Sequence, residues 1–330
     1  MILIATDEAG YGPKLGPLVI AATTWTLPPK AVNEDDLSSF FGGMKETQTI
    51  DGCKIVVDDS KAIYQPASSK SSASSKPSAR ADRLFGLHAI VSAANHWSDT
   101  GATDLAGWIR DCANQDCQAI DSTPWLANIP DVDFLKADQV APVVSAWSSS
   151  GVQLRDARAR IIAASQFNQI CERGYNKADI LSESTLKLVR NALQDHADES
   201  AVRVFCDRHG GRRYYAGVLQ HIFDGVCVSV VEETKQRSAY RIDLGNREAT
   251  IEFTVKGDRF TPVALSSIYA KYLRERMMQS FNEFFIKHHR HKSPLKPTAG
   301  YPSDANRFLA DVKSTIAAER IQESDLIRQR

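Results

Sequence analysis

MILIATDEAGYGPKLGPLVIAATTW (residues 1–25) is the stretch whose reading decides the fold. Residues 2–6 (ILIAT) form a short apolar run that meets acid at Asp7, and residues 18–25 (LVIAATTW) form a second. Both have strand length and β-branched content, so both read as buried strands. Between them lies the Gly/Pro-rich AGYGPKLGP. Neighbouring side chains on a regular strand point to opposite faces. Asp7 and Glu8 therefore reach a common site only if the backbone bends there, and Gly10 and Gly12 permit such a bend because glycine tolerates positive φ. The same glycines would let main-chain N–H groups approach a phosphate or sugar. The loop is not GxxxxGK[ST], which excludes a P-loop. GxGxxG also fails, because Leu15 stands where the third glycine belongs, and Pro13 and Pro17 disfavour a helix start. Taken alone, an acidic pair before such a turn is more often an ordinary surface turn.

Working outward, KIVVDDSK (54–61) is a third apolar run, and ASSKSSASSKPSA (67–79) is a serine-rich stretch that reads as a mobile loop. Leu84, Leu87, His88 and Val91 share one face of a helix over 83–97. Residues 98–150 carry Trp108, Trp125 and Trp147 without a clear period, so 65–150 reads as a loop or insertion region. Helices are expected over 155–172 and 178–195, the latter from Leu181, Thr185, Leu188, Val189, Ala192 and Leu193. AVRVFCD (201–207) is a strand ending in acid. Strands at 226–231 and 250–255 bracket KQRSAYRIDLGNRE, which gives a hairpin extension over 225–254. Helices follow at 262–287 and 304–319. The sum is a single α/β domain over 1–330: a mixed central sheet flanked by helices, with a C-terminal helical segment and insertions.

Composition narrows the class. The 330 residues carry Lys+Arg 40 against Asp+Glu 40, and 43% are hydrophobic, which fits a globular chain. A neutral total does not argue against nucleic acid, because a nuclease needs a local basic groove. Cys53, Cys112, Cys117, Cys171, Cys206 and Cys227 make no CxxC pair, which argues against zinc and for free thiols in a reducing interior. The N-terminus has no basic n-region, and no apolar run approaches the roughly 20 residues of a membrane helix. A cytoplasmic protein with no membrane partner is expected.

Asp207 ends one strand, and Asp258 follows another in VKGD (255–258), where Gly257 allows a tight turn. Capping a helix or closing a turn is the competing reading of Asp207. With Asp7 and Glu8 these make four acids at strand ends, where ligands gather in open α/β sheets. Carboxylates crowded into one cleft repel and shift their pKa values upward. A divalent cation removes that problem, and oxygen ligands suit Mg²⁺ or Mn²⁺. Two such ions about 4 Å apart activate water and stabilise the leaving oxygen of a phosphodiester.

At this point the residues resemble a family, the type 2 ribonucleases H (ribonuclease HII/HIII). DEAGYGPKLGPLVIAA is similar to its D-E-[AVS]-G-[RK]-G-P opening, and DDSKAIY (58–64) to its D-S-K-K-L segment. CDRHGG (206–211) stands where the family has a strand ending in Asp-Gly. VKGDRFTPVALSSIYAKYLRERM resembles its K-G-D…A-A-S-I-x-A-K-x-x-R-D segment, and AGYPS (299–303) its G-Y-[GP]-T turn, all in family order. The resemblance implies a ribonuclease H-like fold in a divergent member with insertions. It implies hydrolysis of the RNA strand of RNA–DNA hybrids, or of a ribonucleotide-containing duplex, with two metal ions. By it, Asp7, Glu8, Asp207 and Asp258 become the catalytic metal ligands. Gly10 and Gly12 become backbone contacts to the 2′-hydroxyl, which distinguishes RNA from DNA, and Tyr301 stacks on a sugar. Lys61, Lys256, Lys271 and Arg274 become phosphate or structural contacts, and Tyr11 and Ser267 also belong to the substrate-binding set. Solvated surface charge is the competing reading of the basic residues.

Three departures stand out. Tyr11 occupies the family's Arg or Lys position, Arg208 replaces the glycine after Asp207, and the stretch from Asp207 to Asp258 is long. They keep two alternatives open: a nuclease of altered substrate, and a non-catalytic nucleic-acid-binding protein on the same fold. A two-carboxylate sugar hydrolase is a poorer reading, since it needs neither the KGD lysine nor the glycine loop. His288, His289 and His291 read as a basic patch rather than a metal site.

Overall fold

The structure is a computed structural model and describes residues 1–58, 83–199, 201–245, 247–289 and 293–329. Lys61, the serine-rich run and His291 lie outside these residues.

Seven strands form one mixed sheet in the order β5-β2-β1-β6-β9-β8-β7. They are β1 (Ile2–Ala9), β2 (Leu18–Thr26), β5 (Gln153–Ile162), β6 (Val202–Asp207), β7 (Val228–Glu233), β8 (Arg237–Asp243) and β9 (Glu248–Thr254). The described residues of the apolar run at 54–61 lie outside it. Cys53–Ile55 is strand there (β4), paired with β3 (Gln48–Ile50) in a separate two-stranded ribbon. β1 runs parallel to β6, and β6 parallel to β9, while the other neighbours are antiparallel.

The labelled helices are α1 (Phe85–Trp97), α2 (Leu105–Cys112), α3 (Ala137–Ser148), α4 (Ala164–Glu172), α5 (Lys177–Asp195), α6 (Ala216–Ile222), α7 (Thr261–His288) and α8 (Pro302–Asp311). Strand periodicity assigns them to the two faces of the sheet. Leu3 and Ala5 of β1 face a cluster that holds Val263, Leu265, Ile268 and Leu273 of α7. Ile2 and Ile4 face the opposite cluster, with Leu186, Val189 and Leu193 of α5 and Leu219 of α6. Two hydroxyls tie α7 to the sheet: Ser266 Oγ donates to the Ala5 carbonyl (2.9 Å) and lies 3.0 Å from Thr23 Oγ1.

Residues 155–172 differ from the expected helix. They hold the end of β5, then α4. Leu154, Ala157 and Ile161 mimic a helical face, yet Leu154, Ala157, Ala159 and Ile161 are all buried along an edge strand paired to β2. The arginines at 155, 158 and 160 are the other half of that alternation. The expected helix at 304–319 breaks at Val312 into α8 and Lys313–Ala318. Residues 98–150 contain α2, α3 and a short helix at Cys117–Ser122. Trp108, Trp125 and Trp147 are buried in the same cluster as Leu3 and α7. Two-turn helices and a proline inside α3 (Pro142) leave little periodicity to read. Among the described residues, no helix is long and apolar enough to cross a membrane.

Candidate metal centre

Strand register brings the acids together. In the parallel pair β1–β6, Thr6 lies opposite Cys206. One residue further, Asp7 and Asp207 leave the same end of adjacent strands. β9 ends beside Asp207, with Thr254 as its partner, so the VKGD turn follows at the same edge. Asp7, Glu8 and Asp207 each offer a carboxylate oxygen, and these oxygens lie within 4.8 Å of one another. Asp258 is outside that trio, although its charge is among those acting on Asp7.

The bend expected between Asp7 and Glu8 comes later. β1 stays paired to β2 through both acids, with Asp7 opposite Ala21 and Glu8 opposite Ile20. The chain turns at Gly10, whose φ is +88°. The Glu8 N–H donates to Asp7 Oδ1 at 2.7 Å, which draws the Asp7 carboxylate toward the main chain of the following residue. A Cβ at Gly10 would stand 2.6 Å from the Pro17 carbonyl oxygen, so the turn admits little else.

Gly257 serves the second acid. Its N–H donates to Asp207 Oδ1 at 2.7 Å, and a Cβ there would come 3.0 Å from Asp207 Cα. Lys256, just before it, holds a left-handed backbone at φ 58° and ψ 47° and is exposed. A non-glycine residue in that region costs energy.

Asp7 is 9% exposed. Burial and the Asp207 charge push its carboxyl up to about 8, against hydrogen bonds from Ser267 and the Glu8 amide that favour the ionised form. Burial and the Asp7 and Asp207 charges hold Glu8 well above the usual carboxylate range. A donor set made only of oxygen atoms, crowded to the point of resisting ionisation, has the chemistry of a site for a hard divalent cation.

The remaining candidates divide by position. Ser267 bonds to the Asp7 carboxyl and is 8% exposed. Arg274 is 3% exposed and donates from Nη2 to the Ala299 carbonyl (2.9 Å), with its guanidinium 5.8 Å from the Tyr301 ring. Both therefore lie behind the surface. Lys271 is one turn beyond Ser267 and half-buried. Tyr301 is exposed, and its ring lies over Gly12, 3.7 Å from where a Cβ would sit. Tyr11 is half-buried, with its ring against Gly210 and the Lys177 ammonium 4.1 Å from the ring centroid. His288 is bound through Nδ1 to the Phe284 carbonyl at 2.7 Å.

Sequence reasoning missed two arginines. Arg208 donates to the Lys235 carbonyl (2.6 Å), the Thr234 carbonyl (3.2 Å) and Ser238 Oγ (3.1 Å), fastening the β7–β8 turn to the residue after Asp207. Arg328, 3% exposed, donates from Nη2 to the carbonyls of Gly10 (2.6 Å) and Pro13. Its own N–H donates to the Lys14 carbonyl (3.0 Å). The departure from glycine at 208 was a signal for the first. Nothing near Arg328 in sequence marks the second.

No protein-family profile matches the chain, and no curated protein sequence does so. Solved structures align over nearly its whole length. Ribonuclease H2 from Pyrococcus horikoshii OT3 aligns at 14% identity and TM-score 0.41, over 99% of this chain and 92% of that one. Ribonuclease HII of Archaeoglobus fulgidus, solved with PCNA, aligns at 14% and 0.41, over 100% and 95%. Bst-RNase HIII with Mn²⁺ aligns at 11% and 0.41, over 99% and 66%.

Proposed function

We propose that this protein is a divalent-metal-dependent endonuclease that hydrolyses the RNA strand of RNA–DNA hybrids or of ribonucleotide-containing duplexes. The observation that carries the reading is the trio of Asp7, Glu8 and Asp207, with oxygens within 4.8 Å at the ends of adjacent parallel strands. The sequence resemblance to type 2 ribonucleases H adds the substrate class.

Asp7, Glu8 and Asp207 would hold the cation, with Asp258 completing the set on the neighbouring turn. Bound Mg²⁺ or Mn²⁺ supplies a water acidic enough to attack at neutral pH and charge to offset the leaving oxygen. The chain's own residues orient the substrate. The Gly10 and Gly12 backbone comes close to a ribose 2′-hydroxyl, which is present only in RNA. Tyr301 offers an exposed ring over Gly12 for a sugar to stack on. Lys256 and Lys271 face phosphates. Ser267 holds the Asp7 carboxyl in place, and Arg274 holds the turn that carries Tyr301.

The test is cleavage of an RNA–DNA hybrid and of a duplex with one embedded ribonucleotide, with Mg²⁺ or Mn²⁺, by wild type and Asp7→Asn. The asparagine keeps the shape and removes the charge. Metal-dependent cleavage that falls on the order of a thousandfold in Asp7→Asn is expected, since about 4 kcal/mol of barrier lowering is at stake. No cleavage of either substrate with either metal would sink the proposal.

A further inference from the structure

We propose that Asn168, on a helix away from the acids, is a positioning residue for substrate. It holds residues 324–329 against the glycine loop and so fixes the main-chain atoms that meet the ribose. The proposal rests on the nuclease reading and deepens it by naming what sets the affinity for the RNA strand.

The loop from Gly10 to Leu15 meets substrate through its main chain, and a glycine-rich main chain is costly to hold still. Two segments hold it. On one side, the Lys14 and Leu15 N–H groups donate to the Gly300 carbonyl (2.7 and 3.1 Å), in the turn that carries Tyr301. A Cβ at Gly300 would strike the Leu15 carbonyl, so the two chains are in close contact. On the other side, Ile327 forms an antiparallel bridge with Leu15, and the Arg328 N–H donates to the Lys14 carbonyl (3.0 Å). The Arg328 guanidinium adds its bonds to the Gly10 and Pro13 carbonyls. The loop is thus the middle one of three chains.

Asn168 anchors the outer chain. It lies inside α4 and is buried. Its Nδ2 donates to the Ser324 carbonyl (2.6 Å) and the Ile327 carbonyl (2.8 Å), and its Oδ1 accepts the Gln329 N–H (2.7 Å). Two of these bonds fall on the residues either side of Arg328. An amide offers two donors and an acceptor at one point, whereas a carboxylate has no donor and an ammonium no acceptor. Asparagine is also a poor residue for a helix interior, so its bonds, not its helix, account for it. Phe167, the residue before it, sets its ring 5.3 Å from the Arg328 guanidinium. The acids hang on other elements: Asp7 on β1 and Asp207 on β6. Loosening Asn168 therefore shifts the loop and leaves the metal ligands in place. Binding lost equally from the bound substrate and the transition state raises KM and spares kcat.

The experiment measures steady-state cleavage of a labelled RNA–DNA hybrid at saturating Mn²⁺ for wild type, Asn168→Ala, Asn168→Asp, Arg328→Met and the double variant Asn168→Ala/Arg328→Met. Asn168→Asp keeps the shape and the acceptor, and tests the donors if the alanine variant does not fold. A second arm follows amide exchange at Lys14 and Leu15. KM should rise about tenfold in the Asn168 variants, the cost of ordering one or two loop residues on binding. Their kcat and the Mn²⁺ needed for half-maximal rate should not change. Exchange at Lys14 and Leu15 should speed up more than at Ile4 in the central strand. The double variant should be no worse than the worse single one, because both act through one contact. Equal KM in wild type and the Asn168 variants overturns the proposal, even if wild type cleaves hybrids. So does a fall in kcat at constant KM that tracks lost folded protein, since the amide then serves the fold alone, and so do additive effects in the double variant. Faster loop exchange in the variants, with no cleavage by wild type, supports the positioning and overturns the nuclease reading. No cleavage by wild type and equal exchange overturns both.

Discussion

Asp7 keeps its proton to about 8 when no cation is bound, against 3.8 for a free aspartate. Between those values the folded chain binds more protons than the unfolded one, so stability falls as pH rises through that window. Below it both states are protonated, and above it the folded state bears the full repulsion. In EDTA, wild type should therefore lose stability to urea from pH 5 to pH 8, and Asp7→Asn should lose less. Added Mn²⁺ should restore wild type at pH 8. Equal losses in the two proteins would remove Asp7 as the cause. Gly257 belongs to the same scale. Gly257→Ala pushes a methyl to 3.0 Å from Asp207 Cα, an overpacking of about 1–3 kcal/mol. The variant should melt lower and need more Mn²⁺ for half-maximal cleavage, as a metal titration would read. That Asp7, Glu8 and Asp207 stand together at neighbouring strand ends was legible in the sequence, because strand ends and turn glycines leave local signatures. The Glu8 amide on Asp7 was not, since it depends on rotamer rather than residue type.

Among the elements, β1, β2, β6 and β9 were legible because their apolar runs are short and bounded by turn residues. β5 was not: QLRDARARII spaces its apolar residues at both helical and strand intervals, and pairing with β2 decides between them. The β7–β8 hairpin carries Val230 and Val231 at 54% exposure on the edge strand of the sheet. Its turn is held by the Arg208 bonds to Thr234, Lys235 and Ser238. Each such bond contributes about 0.5–1.5 kcal/mol. Arg208→Ala should speed amide exchange at Val255, which donates to the Gln236 carbonyl, more than at Ile4 in the central strand. Equal protection in wild type and variant would show that the turn holds without Arg208.

At the scale of the whole molecule, the first loop and the last turn are one unit. Arg328 and Gly10 are bonded across 318 residues of chain, and no local pattern in sequence announces such a contact. The clamp has a consequence in time. A ribosome adds about 5–20 residues per second, so Gly10 is made roughly 15–60 s before the arginine that holds it. For the first part of that interval β1 also waits for β6, which carries Asp207. The acids nearest the start of the chain are thus the first part of the centre to be synthesised and among the last to be fixed. A nascent chain stalled before Arg328 should lack metal-dependent cleavage of the hybrid, while one stalled after release of the full tail should have it. Cleavage by the shorter chain would free the loop from its dependence on the tail.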